Sequence, residues 1–266
     1  MTSLKIIVCV KQVPDTNEVR IDPVTGTMIR AGVPSILNPD DENALECALQ
    51  LKDSIPGTHV TVITMGPPQA KAVLLESLAM GADRAILLSD MAFGGADTWA
   101  TSNTLAAAIN KIGDYDLILA GRQAIDGDTA QVGPQLAERL DIPQITYVQN
   151  LEYKDGKFIV ERQLEDGYEV LSAISPILLT AIKELNEPRY MSLWGIADIF
   201  AGESPIETWG LADIGIEREL VGLKASPTQV KNSFSPPPKG GGRMLSGSNK
   251  EMATELMKEL KSKHII

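Results

Sequence analysis

The chain has 266 residues, enough for one large or two small domains with a sizeable buried core. Hydrophobic residues make up 44% and charged residues 22%, ordinary for a globular protein, while the net charge of −11 argues against nucleic acid and anionic membrane as main partners and suits a basic protein patch. No apolar run approaches the ~18 residues that span a bilayer, so no membrane insertion is expected. The start, Met1-Thr2-Ser3-Leu4-Lys5, runs straight into a strand and does not read as a signal peptide. Cys9 and Cys47 form no CxxC pair and read as buried reduced thiols, in keeping with a cytoplasmic location. His59 and His264 lie far apart without companion ligands, so no metal site is expected.

Leu4 to Val10 is a near-continuous apolar strand, and Lys11-Gln12-Val13-Pro14-Asp15 follows at its carboxyl end, where open α/β sheets hold ligands. Glu18 to Arg30 reads as a hairpin excursion around the turn Asp22-Pro23-Val24-Thr25-Gly26. Asn38-Pro39-Asp40-Asp41-Glu42 is a helix start: Asn38 can cap, Pro39 suits the first turn, and the carboxylates favour the positive end of the dipole. Val60 to Met65 is the next strand, followed by a helix through Leu78 that closes at Gly81. Arg84 to Leu88 is a third strand. Asp97 or Thr98 caps a helix running to Ile112. Leu117 to Ala120, with no alternation, suits a strand buried on both faces. Strand and helix alternating at this spacing predict βαβ units and a parallel sheet.

The stretch from Asp116 to Leu140 organises the rest. Gly121 ends the strand, Asp126 and Asp128 bracket Gly127, and Val132, Leu136 and Leu140 recur at helical spacing. Asp128 reads as the N-cap of a helix from Thr129. A strand, a glycine-containing loop and a helix N-terminus can bind an anion, with Thr129 and Gln131 as further donors. An ordinary βα loop with a good cap fits the same residues, and neither GxGxxG nor GxxxxGK[ST] is present.

Beyond Leu140 the pattern changes to added antiparallel structure: Gln144 to Tyr153, a turn at Asp155-Gly156, Phe158 to Leu164, a turn at Glu165-Asp166-Gly167, then Val170 to Ile174 and Ile177 to Ile182. Glu187-Pro188-Arg189-Tyr190-Met191-Ser192-Leu193-Trp194 opens a short helix to about Phe200, whose Met, Leu and Trp either make a docking surface or pack inward. From Ser226 the chain reads as a linker rich in Ser, Pro and Gly, ending in a helix over about Asn249 to Lys263 with Met252, Leu256, Met257 and Leu260 on one face. The expected fold class is therefore α/β. It comprises a parallel-sheet, Rossmann-like nucleotide-binding domain over residues 1–225 with antiparallel hairpins, and a C-terminal arm over 226–266 ending in a helix. No nucleophile–histidine pair or acid–base carboxylate pair is visible.

Several stretches together resemble the β subunit of electron transfer flavoproteins over essentially the whole chain. They are Val8 to Asp15, Asn38-Pro39, Met80-Gly81-Ala82-Asp83, Gly121 to Asp126, Val160 to Thr180, and Asn186-Glu187-Pro188-Arg189-Tyr190. The resemblance implies a heterodimer with an α subunit that carries the electron-transferring FAD, and an adenine nucleotide held in this subunit. Carried over by position, Cys9 lies beside that nucleotide, Asn38, Pro39, Asp40 and Asp41 line it, and Met65 ends a lining strand. The loop of Gly121, Arg122, Gln123, Asp126, Gly127, Asp128, Thr129, Ala130, Gln131 and Val132 wraps its phosphates.

The segment at about 184–205 is implied to be the partner-recognition loop. In one type of the family the nucleotide is AMP, a structural element. In the electron-bifurcating type it is a second FAD that takes a hydride from NADH. One electron then goes to ferredoxin or flavodoxin, and the other goes via the α-subunit FAD to a flavin-containing dehydrogenase. The run Asp126 to Pro134 is similar to the bifurcating type, because Gly127 and Ala130 leave room for a pyrophosphate and flavin. FAD is accordingly the expected cofactor, with AMP as the alternative.

Overall fold

The computed structural model describes residues 3–15, 34–201, 205–228 and 240–266. The hairpin expected between Glu18 and Arg30 lies outside these residues. The described residues divide into two compact units, one ending at Thr228 and one comprising 240–266.

The first unit opens with β1 (Lys5–Cys9), β2 (Gln12–Pro14), β3 (Ser35–Leu37), α1 (Pro39–Ser54) and β4 (His59–Met65). Next come α2 (Lys71–Met80), β5 (Arg84–Leu88), α3 (Thr98–Ile112), β6 (Leu117–Gly121) and α4 (Val132–Arg139). The remainder comprises β7 (Gln144–Lys154), β8 (Lys157–Gln163), β9 (Tyr168–Ala173), β10 (Ile177–Ala181), α5 (Leu193–Phe200), β11 (Ile206–Trp209), α6 (Leu211–Ile214) and α7 (Gly222–Ala225). The fold is α/β, as the alternation of apolar strands and helical stripes predicts.

Nine strands form one sheet in the order β11-β5-β4-β1-β6-β10-β7-β8-β9. Pairing is parallel from β11 through to β7, and β7, β8 and β9 are antiparallel. The central strands carry β-branched and Leu side chains on both faces because helices cover both faces. On one face α1 and α2 enclose a core of Leu45, Leu49, Val62, Leu74, Leu119 and Leu179. On the other, α3 and α4 enclose Ile7, Ile63, Ile86, Leu105, Ile118 and Leu136. Each such fully buried side chain contributes roughly 1.5–3 kcal/mol relative to exposure.

Three expectations change. The segment at Ile177 is not part of an antiparallel half: β10 inserts between β6 and β7 and runs parallel to both. Its five residues are all buried, so it belongs to the core. β7 makes the transition, its first residues pairing parallel with β10 and its later ones antiparallel with β8. Secondly, α4 begins at Val132, not at Thr129, and Gln131 occupies the N-cap position. Asp128 (φ 49) and Ala130 (φ 51) are left-handed, which helix cannot continue through, so Asp128 is a loop residue and not the cap. Thirdly, Ser226 is buried: its Oγ accepts from Asp97 N at 2.8 Å and donates to Gly222 O at 3.0 Å, so the first unit is held past the point where the linker was expected to start.

The turn at Asp155-Gly156 has positive φ at both residues (52 and 77), the mirror-type hairpin geometry that the Asp-Gly pair favours. Asp97 caps α3 by accepting from Ala100 N at 3.0 Å. In the second unit, α8 (Asn249–Ser262) starts on a capping box: Ser248 N donates to Glu251 Oε2 at 2.8 Å, and Glu251 N donates to Ser248 Oγ at 3.4 Å. Leu256 and Met257 remain about half exposed on this helix. No helix among the described residues is long and apolar enough to cross a membrane.

Leu179 tests the placement of β10. It is fully buried beneath α1, so Leu179→Ala should cost about 2–5 kcal/mol, read as a lower urea midpoint at unchanged slope. An unchanged midpoint would mean that β10 is not a core strand.

Candidate nucleotide-binding site

The chain leaves β1 toward β4 and β5 on one side, then returns to place β6 on the other side of β1. The crevice outside the carboxyl ends of β1 and β6 is therefore the topological switch point of the sheet, where ligands of open α/β sheets bind. The first turn of α1 and the loop 122–131 meet there.

Asp41 ties the crevice together. Its Oδ2 accepts from Lys11 N at 2.9 Å, just past β1, and its Oδ1 accepts from Gly121 N at 2.9 Å, at the end of β6. One buried carboxylate thus fastens two adjacent strand ends to one helix. Burial pushes its carboxyl up from the usual carboxylate value of 3.8 to about 7, against the two backbone N–H donors and the nearby Lys11 charge, which favour the ionised form. Gly121 is required by this strap: a Cβ there would stand 2.4 Å from Asp41 Oδ1 and 2.7 Å from Asp41 N. Its missing side chain makes room for α1.

Asn38 occupies the N-cap position of α1 but makes no side-chain cap bond. Its Nδ2 donates to Gln123 O at 2.9 Å and its Oδ1 accepts from Ile125 N at 3.0 Å. The side chain is fully buried; it makes no backbone cap for α1 but binds the loop 122–131 and lies against Asp41. Asn38 N also donates to Lys11 O at 2.9 Å. Lys11 Nζ lies 2.6 Å from Asp126 Oδ1, and Gln123 Nε2 donates to Asp128 Oδ1 at 2.6 Å. The root of the loop is therefore fixed by Asn38, Lys11 and Asp41.

Arg122 stands beside this root. Its Nε lies 3.4 Å from Asp40 Oδ2, and its guanidinium carbon lies 5.9 Å from the centre of the Tyr147 ring. Both Nε and Oδ2 are buried from solvent and neither completes a hydrogen bond. Burial raises the Asp40 carboxyl, and the Arg122 charge opposes that rise. An arginine held at a switch point with an incomplete hydrogen-bond set fits an anionic group such as a phosphate. Farther along the loop, Gly127 is exposed with open space where a Cβ would stand, and Thr129 is exposed. Left-handed backbone at Asp128 and Ala130 turns the chain sharply across the crevice.

The other expected residues fall around this frame. Cys9 ends β1 opposite Ala120, and burial pushes its thiol up to about 12, so it is an apolar wall and not a nucleophile. Met65 ends β4, and it packs with Cys9 and Val132 in the apolar cluster on the α3–α4 face. Pro39 opens α1. Gln131 Oε1 accepts from Thr98 Oγ1 at 2.9 Å, tying the far end of the loop to α3.

Two neighbours were not among the residues that the resemblance assigns to the nucleotide, although Lys11 opens the stretch read as lying where α/β sheets hold ligands. Lys11 sits directly after the first strand, a legible signal in the sequence. Tyr147 reaches Arg122 only because β7 pairs with β10, a long-range fact with no local pattern. The run Met80 to Asp83 lies elsewhere: Asp83 accepts from Val60 N at 2.8 Å and from Lys52 Nζ at 2.6 Å, joining α1, β4 and β5.

Comparison with known proteins identifies the family. The model of the electron transfer flavoprotein domain matches residues 25–214. The CarD subunit of the caffeyl-CoA reductase–Etf complex of Acetobacterium woodii is 64% identical over 264 residues, spanning 99% of this chain and 100% of the relative. The electron transfer flavoprotein subunit beta of Clostridium acetobutylicum is 57% identical over 263 residues, covering 99% of this chain and 100% of the relative. The acryloyl-CoA reductase electron transfer subunit gamma of Anaerotignum propionicum is 48% identical over 269 residues, again 99% and 100%. The chain belongs to the electron transfer flavoprotein family.

The strap gives a pH dependence with a definite sign. Asp41 binds its proton more tightly in the folded chain than in the unfolded one. Its stabilising contribution is therefore full below about pH 4 and is lost as pH rises through about 7. Asp40, Glu42 and Glu76 are raised by burial too and act in the same direction. The urea midpoint should fall between about pH 4 and about pH 7, and Asp41→Asn should flatten that slope. An identical slope in the variant would remove Asp41 as its source.

Proposed function

We propose that this chain is the β subunit of a heterodimeric electron transfer flavoprotein of the electron-bifurcating type, with FAD in the crevice between β1 and β6. When bound, the flavin supplies two-electron exchange with NADH and one-electron exchange toward ferredoxin or flavodoxin and, through the α-subunit FAD, toward a partner dehydrogenase. The chain supplies position and field. Asn38, Lys11 and Asp41 hold the loop 122–131 at its root, so that Gln123, Asp126, Asp128, Thr129, Ala130 and Gln131 face the nucleotide in a fixed arrangement. Arg122 places a permanent positive charge beside the phosphates or the ring, favouring negative charge there. Cys9, Met65 and Val132 exclude water from one side.

The observation that carries this reading is Arg122 beside Asp40 with its Nε hydrogen bond unmade, under a loop that is pinned at its root and open at Gly127. The openness at Gly127 favours FAD over AMP. With AMP the same crevice would serve a structural subunit that only docks dehydrogenases. The partner dehydrogenase is proposed to be a flavin-containing CoA-ester reductase, following the relatives named for caffeyl-CoA and acryloyl-CoA reductases. Its docking surface is the recognition segment at about 184–205, where Tyr190, Leu193, Trp194 and Phe200 stand exposed. The second unit, 240–266 with α8, is the arm that grips the α subunit, and the complex works in the cytoplasm.

Nucleotide counting tests the reading. The co-expressed αβ pair should release two FAD and no AMP on denaturation; one of each would leave a scaffold subunit. Arg122→Ala should lower nucleotide content or shift the flavin potentials. Content and potentials both unchanged would leave Arg122 only its ion pair with Asp40. Deleting residues 235–266 should weaken association with the α subunit, and undiminished co-purification would remove the arm from that role.

A further inference from the structure

The exposed recognition segment is not a free loop. Asn43 on α1 donates through Nδ2 to Asn186 O at 2.8 Å and to Asn186 Oδ1 at 3.1 Å, and Asn186 Nδ2 donates back to Asn43 O at 3.0 Å. One helical turn on, Glu46 holds Arg189 by a fork: Nε to Oε2 at 2.7 Å and Nη2 to Oε1 at 3.1 Å. Arg189 N also donates to Glu46 Oε2 at 3.2 Å, and Nη2 reaches Asp53 Oδ2 at 2.8 Å.

Glu46 is 4% exposed, so its carboxylate is a buried charge whose compensation comes from Arg189. Beyond the clamp, Tyr190 is 97% exposed. Ser192 then touches down on α2, its N donating to Ala79 O at 3.1 Å, and it caps α5 by accepting from Gly195 N at 2.9 Å. Gly195 sits so close that a Cβ would stand 2.4 Å from Ala79 O. No residue of α5 is buried.

α5 rests on α2 through Gly195, Ile196 and Ile199, which are only part-buried, so this shallow contact and the N-terminal tether together set its orientation. Four residues of this connection are bound to α1 by an ion pair to a buried carboxylate and by a reciprocal amide pair. The same helix that attaches the tether, α1, carries Asn38 and Asp41 at its start, so the exposed apolar surface and the switch-point crevice share one rigid element.

We infer that Glu46 and Arg189, with Asn43 and Asn186, are positioning residues for the partner reductase: they hold Tyr190, Leu193 and Trp194 in the orientation that a complementary apolar surface on the reductase meets. The inference rests on the proposal that this segment docks the reductase. The clamp touches neither nucleotide nor partner. It acts by removing the cost of ordering the segment at each encounter, so its effect belongs to association and not to the transfer step.

The test uses the purified αβ pair, with the caffeyl-CoA reductase of Acetobacterium woodii as the electron-accepting probe. Glu46→Gln keeps the shape and removes the charge, and Arg189→Lys keeps the charge and removes the fork. Either variant should raise the apparent KM for the reductase about five- to tenfold with kcat within about twofold and flavin content unchanged, Arg189→Lys less than Glu46→Gln. Amide hydrogen exchange over 190–200 should quicken at least about tenfold in both.

Trp194→Ala separates the two levels. If it raises KM while the clamp variants change neither KM nor exchange, the positioning role is overturned and docking stands. If Trp194→Ala leaves KM unchanged, or the wild-type pair does not reduce the probe, the docking proposal falls and the inference with it. Where Glu46→Gln gives no soluble pair, Arg189→Lys decides by the same criteria.

Discussion

The buried carboxylate of Asp41 is the constraint on which the crevice depends. A parallel sheet leaves its carboxyl ends ragged, with backbone N–H groups that no further strand residue satisfies. Here two of them, from Lys11 and Gly121, converge on one side chain in the first turn of α1. The cost is a carboxylate out of water, visible as a raised proton affinity. In return the two strand ends at the switch point hold one spacing, and the loop 122–131 starts from a defined place. Asn38 extends the same logic by binding loop backbone through both of its polar atoms. The site is thus built by the helix side chains nearest the strand ends, and the loop's own sequence shapes only what lies beyond its root.

Much of the fold was legible because each feature is local. β5 occupies the expected Arg84–Leu88, α3 is capped by Asp97, and α8 is capped where the chain resumes helical spacing. What was not legible depends on partners distant in sequence. Nothing in Ile177 to Ala181 says that it will insert between β6 and β7, since a fully apolar run reads alike in a hairpin and in a parallel core. β11, of four residues, is too short for its period to register.

The site shows the same division. Asn38 and Asp41 stand out as a helix start, and they do open α1, yet residue type cannot reveal that both side chains turn toward β6 and its loop. Asp128 carries the usual mark of a cap, but its left-handed backbone and its bond from Gln123 place it in the turn instead. Gly121 reads as the end of a strand, and its missing side chain makes the space that α1 fills. Long-range packing decides which of several uses a cap-type residue or a glycine is put to.

The insertion of β10 has a consequence for how the chain is made. Residues emerge from the ribosome in order, and β6 through β9 are complete before Ile177 appears. β7, β8 and β9 can pair among themselves at once, but β6 must wait with an unpaired, wholly apolar edge until Ala181 has been synthesised. During that interval the nascent chain presents a sticky strand edge to its neighbours. A chain that ends between Gln144 and Ile177 lacks β10 and would keep it permanently. Such fragments belong to the clients of chaperones and proteases, and the intact sheet conceals the liability only in its last-added central strand.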